Sequence, residues 1–102
     1  MEVIMIRERD VEQALVHHMR MCGGLALKFV SPGWSGAPDR LCLWPGGKVI
    51  FVEVKRPGEG PRPLQVRRME QLRGLGFEVE VVDSLEKAAV LAQSGGGADA
   101  YA

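Results

Sequence analysis

The sequence predicts a mixed α/β domain, a mixed sheet flanked by helices, with elements in the order α-β-β-β-α-β-α. Three observations predict it. Val11, Leu15, Met19 and Cys22 recur at spacings of four, four and three, which is the period of an amphipathic helix. Short apolar runs follow, separated by turn formers such as Pro45-Gly46-Gly47. A second helical pattern then comes before an alternating Phe77, Val79, Val81 segment, so strand, crossover helix and strand succeed one another. With 102 residues, 46% of them hydrophobic and 25% charged, the chain has material for one core and the composition of a folded domain. Residues 1–93 are expected to form that domain, and 94–102, rich in glycine, a flexible tail.

The first helix runs from about Arg9 to Cys22, where Gly23-Gly24 stops it. Leu25 to Val30 reads as a strand, broken by Ser31-Pro32-Gly33. Leu41 to Trp44 forms the second strand and Lys48 to Lys55 the third, joined by the Pro45-Gly46-Gly47 turn as a hairpin. The run Val49 to Val52 predicts burial on both faces of that third strand. Val66, Met69 and Leu72 mark one face of a helix ending near Gly74 or Gly76. Phe77 to Val82 is the fourth strand, and Ser84 caps a last helix over Leu85 to Gln93. Met69 and Phe29 are read as core.

The net charge is zero, which excludes a protein that holds nucleic acid by bulk positive charge. The charge is unevenly spread, however. Lys55, Arg56, Arg62, Arg67, Arg68 and Arg73 face only Glu59 and Glu70 in one stretch, a local basic patch. Cys22 and Cys42 have neither C-x-x-C spacing nor neighbouring ligand-spaced histidines, so no zinc site is expected. No secretory or long apolar segment is visible, and a cytoplasmic location with reduced thiols is the expectation.

The chemistry is concentrated in Gly36-Ala37-Pro38-Asp39-Arg40 and Phe51-Val52-Glu53-Val54-Lys55. Residues two apart on a strand share a face, so Glu53 and Lys55 project together. Hairpin pairing brings the start of the second strand beside the end of the third, and Asp39 therefore beside Glu53 and Lys55. Two carboxylates about 4 Å apart repel by roughly 4 kcal/mol at an effective dielectric of 20. A positive group is required. An ion pair with Lys55 would supply one, and a divalent cation held by hard oxygen ligands would supply more.

These residues, with Pro63-Leu64-Gln65 and Gly76-Phe77 downstream, resemble the virus-type replication-repair nuclease (VRR-NUC) family of the PD-(D/E)xK superfamily. The resemblance covers about Arg7 to Ala92 and implies a restriction-endonuclease-like core. It implies that Asp39 and Glu53 bind metal, with the Val54 backbone carbonyl beside them, that Lys55 is the catalytic lysine, and that Gln65 on the following helix belongs to the site. It also implies an acid on the first helix, for which Glu12 is the best match and Glu8, one turn earlier, the alternative. The implied activity is hydrolysis of DNA phosphodiesters by an endonuclease using one or two Mg²⁺ or Mn²⁺ ions. Branched DNA such as a Holliday junction is the implied substrate and a homodimer the implied assembly. A nuclease-shaped module that binds DNA or protein without cutting is the alternative.

Lys28, Arg40, Arg56, Arg62, Arg67 and Arg68 are candidates for phosphate contact, and Trp34 for stacking on a base or sugar. Gly46-Gly47-Lys48 is no phosphate loop, because Val49 and a strand follow the lysine. His17 and His18 are adjacent on a helix, face different directions and cannot share a site.

Overall fold

The computed structural model describes residues 4–95. Helix α1 spans Glu8–Met21, strands β1, β2 and β3 span Leu25–Lys28, Arg40–Leu43 and Val49–Val54, helix α2 spans Pro63–Gly74, β4 spans Glu78–Val82 and α3 spans Leu85–Ser94. The expected order holds. Helix α3 extends one residue beyond Gln93, and the part of the expected tail from 96 to 102 lies outside the described residues. Among the described residues no helix is long and apolar enough to cross a membrane.

The four strands lie in sequence order, β1-β2-β3-β4. The first two pairings are antiparallel, whereas β3 and β4 are parallel and joined through α2. Between β2 and β3, Pro45 takes the second and Gly46 the third position of a turn closed by Gly47 N–H donating to the Trp44 carbonyl at 3.1 Å. The φ of 93° at Gly46 is the left-handed value a type II turn demands there.

Strand parity divides the sheet into two faces. Ala26, Cys42, Ile50, Val52, Val54 and Val82 point to one side and bury Val11, Leu15 and Met19 of α1 and Ala88 and Ala92 of α3. The alanines let α3 lie close, and Trp44 Nε1 donates to the Ala92 carbonyl at 3.0 Å, tying that helix to the hairpin. Ser84 caps α3 as expected, its Oγ accepting from Lys87 N–H at 3.0 Å. Both cysteines are free, and burial pushes the Cys42 thiol up to about 12, so it is a packing residue without nucleophilic character.

The opposite face is covered only in part. Met69 and Leu72 of α2 pack on Val79, with Trp34, Phe51 and Val81 around them. Val66, expected in this stripe, is exposed, because α2 leans on the β4 side of the sheet through its C-terminal half. Phe29, expected in the core, is half-buried and stacks edge-on against Phe51, which stacks in turn against Phe77. Leu25, Leu27 and Phe77 remain exposed.

Candidate active site

The site lies at the end of the central strands away from the hairpin turn. Asp39 arrives there on the loop after β1. Phe29 N–H donates to the Asp39 carbonyl at 2.8 Å, which extends the β1–β2 ladder by one pair. Asp39 Oδ2 then accepts from the Val54 N–H at 3.1 Å, so the carboxylate is fastened to β3 beside Glu53. The loop itself is docked on α2. Gly36 (φ 84°) passes so close to Leu64 that a Cβ would meet its Cγ at 2.9 Å. Arg68 Nε donates to the Ser35 carbonyl at 2.8 Å, and the guanidinium lies 5.0 Å from the centroid of the Trp34 ring.

Glu53 and Lys55 are the two buried charged residues among the described residues, at 1% and 4% exposure. Lys55 is held at the strand end by its own N–H, which donates to the Val82 carbonyl at 2.9 Å. Its Nζ lies 3.4 Å from Glu53 Oε2, a charge contact without hydrogen-bond geometry, and neither oxygen of Glu53 has a hydrogen-bond partner. That arrangement is costly for a carboxylate. Burial, and then repulsion from Asp39, push the Glu53 carboxyl up to about 7 against the opposing attraction of Lys55.

The first-helix acid is placed differently from the expectation. Glu12 is paired with Arg40, Oε2 to Nε at 3.2 Å, and Arg40 also donates through Nη1 to the Ala26 carbonyl at 3.0 Å. Arg40 lies opposite Val52 in the ladder and therefore rises on the α1 side of the sheet, where it meets Glu12. Both are thereby engaged in joining α1 to the sheet. Glu8, in the first turn of α1, lines a groove with Glu59, and its carboxyl is raised by burial first and then by Asp39, with Lys55 opposing and Glu59 and Glu12 adding to the rise.

Gln65 caps its own helix. Its Oε1 accepts from the Arg62 N–H at 2.8 Å, half of a capping box, rather than from any of the acids' neighbours. Arg68 and Trp34 are engaged with each other in the loop clamp. Lys28, Arg56, Arg62 and Arg67 are exposed. Glu59 was no candidate, yet it lies 4.0 Å from Lys55 Nζ and 2.8 Å from Arg56 Nε. The signal for it was its place four residues after Lys55 in a loop bounded by Pro57 and Pro61. An open groove of about 790 Å³, lined by Met5, Ile6, Arg7, Glu8, Arg56 and Glu59, runs past these residues.

The buried Glu53 is the feature that tests whether a cation suits this end of the sheet. Two unpartnered oxygens beside a second carboxylate make a local excess of negative charge that one lysine does not neutralise, and hard oxygen donors suit Mg²⁺ or Mn²⁺. Among the described residues no three His, Cys, Asp or Glu side chains form a closed cage. An open site is what Mg²⁺ chemistry uses, since that ion keeps several waters and takes only one or two carboxylates.

A mixed sheet of this topology, with an acid and a lysine buried at the end of its central strand, defines a small nuclease-type α/β domain. The VRR-NUC domain profile matches residues 7–86. A solved structure titled "VRR_NUC domain" superposes with a TM-score of 0.77 at 36% identity, covering 84% of this chain and 94% of that one. A protein of Acyrthosiphon pisum secondary endosymbiont phage 1 named "Putative nuclease p44" is 51% identical over 87 residues, 85% of this chain and 94% of its own length. The chain belongs to the VRR-NUC domain family and carries a nuclease domain.

Proposed function

We propose that this protein is a Mg²⁺- or Mn²⁺-dependent endodeoxyribonuclease that cuts structured or branched DNA, four-way junctions among them, and works in the cytoplasm as a homodimer. The observation that carries this reading is the Glu53 carboxylate, 1% exposed and with both oxygens unpartnered. Asp39, Glu53 and the Val54 carbonyl would hold the ion, with Glu8 orienting its waters and Glu12 retained by Arg40. When bound, the ion lowers the pKa of an attacking water and neutralises charge that develops on the phosphate.

The remaining work falls to the chain's own groups. Val54 N–H fixes Asp39 Oδ2, leaving Oδ1 as the free donor. Lys55 Nζ, nearly buried, orients the attacking water or supports the charge on a non-bridging phosphate oxygen. Gln65 closes the first turn of α2, and the exposed Arg62 and Arg67, with Lys28 and Arg56, contact phosphates. A second copy of the chain is the proposed cover for Leu25, Leu27 and Phe77, because an exposed apolar patch of this kind marks an association surface.

The test is incubation of the purified protein with a four-way junction, Mn²⁺ and an Asp39→Ala control. Nicking by the wild type that falls at least about 100-fold in the variant is expected, on the scale of losing a principal charge-stabilising group. Equal nicking by both proteins would refute the assignment.

A further inference from the structure

We infer that Glu59 acts as an internal stand-in for a substrate phosphate, holding the cations of the site until DNA displaces it. The inference rests on the proposed reading that Lys55 and Arg56 face the DNA backbone. Its basis is the way the two oxygens of one carboxylate divide between two cations: Oε2 lies 2.8 Å from Arg56 Nε and Oε1 lies 4.0 Å from Lys55 Nζ. A phosphate in the same place would present its oxygens in the same way.

The loop is built to make this contact. Pro57 and Gly58 occupy the centre of a tight turn closed by Glu59 N–H donating to the Arg56 carbonyl at 3.1 Å, with φ 84° at Gly58. That turn sets the Glu59 and Arg56 side chains next to each other. The Glu59 side chain is 40% exposed and that of Arg56 60%, so the pair is open to water and readily exchanged. Lys55, at 5%, is not, and Glu59 is the group on the groove side through which its charge is met. Glu59 and Glu8 line the same groove.

A phosphate entering the groove competes with Glu59 for Arg56, and its own charge is repelled by the carboxylate until Glu59 turns away. Glu59 therefore lowers affinity for the backbone and withholds Arg56 from counterion exchange. Replacing it with glutamine frees that cation.

The experiment is fluorescence anisotropy of a labelled four-way junction in EDTA, over a series of salt concentrations, with wild type, Glu59→Gln, Arg56→Gln, the double variant and Glu86→Gln, an exposed acid of α3. Glu59→Gln is expected to bind about 3- to 10-fold more tightly at low salt, with a slope of log K against log salt steeper by about one ion. The gain should shrink in the Arg56→Gln background and be absent in Glu86→Gln. Unchanged or weaker binding by Glu59→Gln, or an equal gain in Glu86→Gln, would overturn the inference while leaving the nuclease reading intact. Absence of binding by every protein at every salt would overturn both. Manganese titrations of wild type and Glu59→Gln should agree within about twofold; a tenfold loss in the variant would make Glu59 a metal ligand and also overturn the inference.

Discussion

The cost of keeping Glu53 ionised in the metal-free protein makes stability depend on pH in a direction opposite to that of an ordinary paired carboxylate. In the folded chain the Glu53 carboxyl is raised from 4.5 to about 7, first by burial and then by Asp39. Between those values the folded state holds a proton that the unfolded chain releases, so stability falls as pH rises through this window. At about 1.36 kcal/mol per pH unit, the rise corresponds to an upper bound of ~3.5 kcal/mol, present below 4.5 and lost above 7. Glu53→Gln removes the titration. Its amide would be as poorly partnered as the carboxylate, which adds a pH-independent cost of about 1–3 kcal/mol, so the informative quantity is the pH dependence of the difference between the two proteins. Urea unfolding in EDTA at intervals from pH 4.5 to 8 should show the variant gaining ~2–3 kcal/mol on the wild type across the range. Carboxylates remote from Glu53 titrate alike in both proteins and cancel. Parallel curves would refute the argument that Glu53 carries an uncompensated buried charge.

Three further outcomes follow from the same geometry. Glu8→Ala should lower manganese affinity or nicking by about 10- to 100-fold, the range for a group that holds or orients a metal, whereas Glu12→Ala should chiefly cost stability by freeing the Arg40 guanidinium; activity profiles of the two variants against their melting temperatures separate the roles. Lys55→Met should abolish nicking and push the Glu53 titration still higher, since its one close cation is gone, readable as a shift of the stability transition to higher pH. Arg68→Ala should loosen the loop that delivers Asp39 and weaken manganese binding, with partial rescue by Lys, which keeps the charge and loses the planar contact with Trp34.

Much of this arrangement was legible because it depends on short-range periodicity. The stripe of Val11, Leu15 and Met19, the Pro45-Gly46 turn and the Ser84 cap each follow from local chemistry, and each appears where it was expected. Hairpin register then carries Asp39 to the end of β3 without further information. What escaped the sequence depends on how elements cross. Glu8 and Glu12 share a helix face one turn apart, and only the structure shows that Arg40 lies under the second of them and pairs with it. Arg40 itself looked like a phosphate ligand because its partner is 28 residues away in sequence. Val66 fits the α2 stripe by spacing, but that helix rests on the sheet through Met69 and Leu72, with Arg73 Nη2 donating to the Val79 carbonyl at 2.7 Å. Glu59 belongs to no periodic element, and its proximity to Lys55 depends on the fold of a turn.

The central claim is tested most directly by calorimetric titration of Mn²⁺ into the folded, metal-free protein at pH 7, with Asp39→Ala alongside. Saturable uptake by the wild type, accompanied by proton release as Glu53 ionises and lost in the variant, is the expected result. No uptake at millimolar Mn²⁺, or identical uptake by the two proteins, would contradict it.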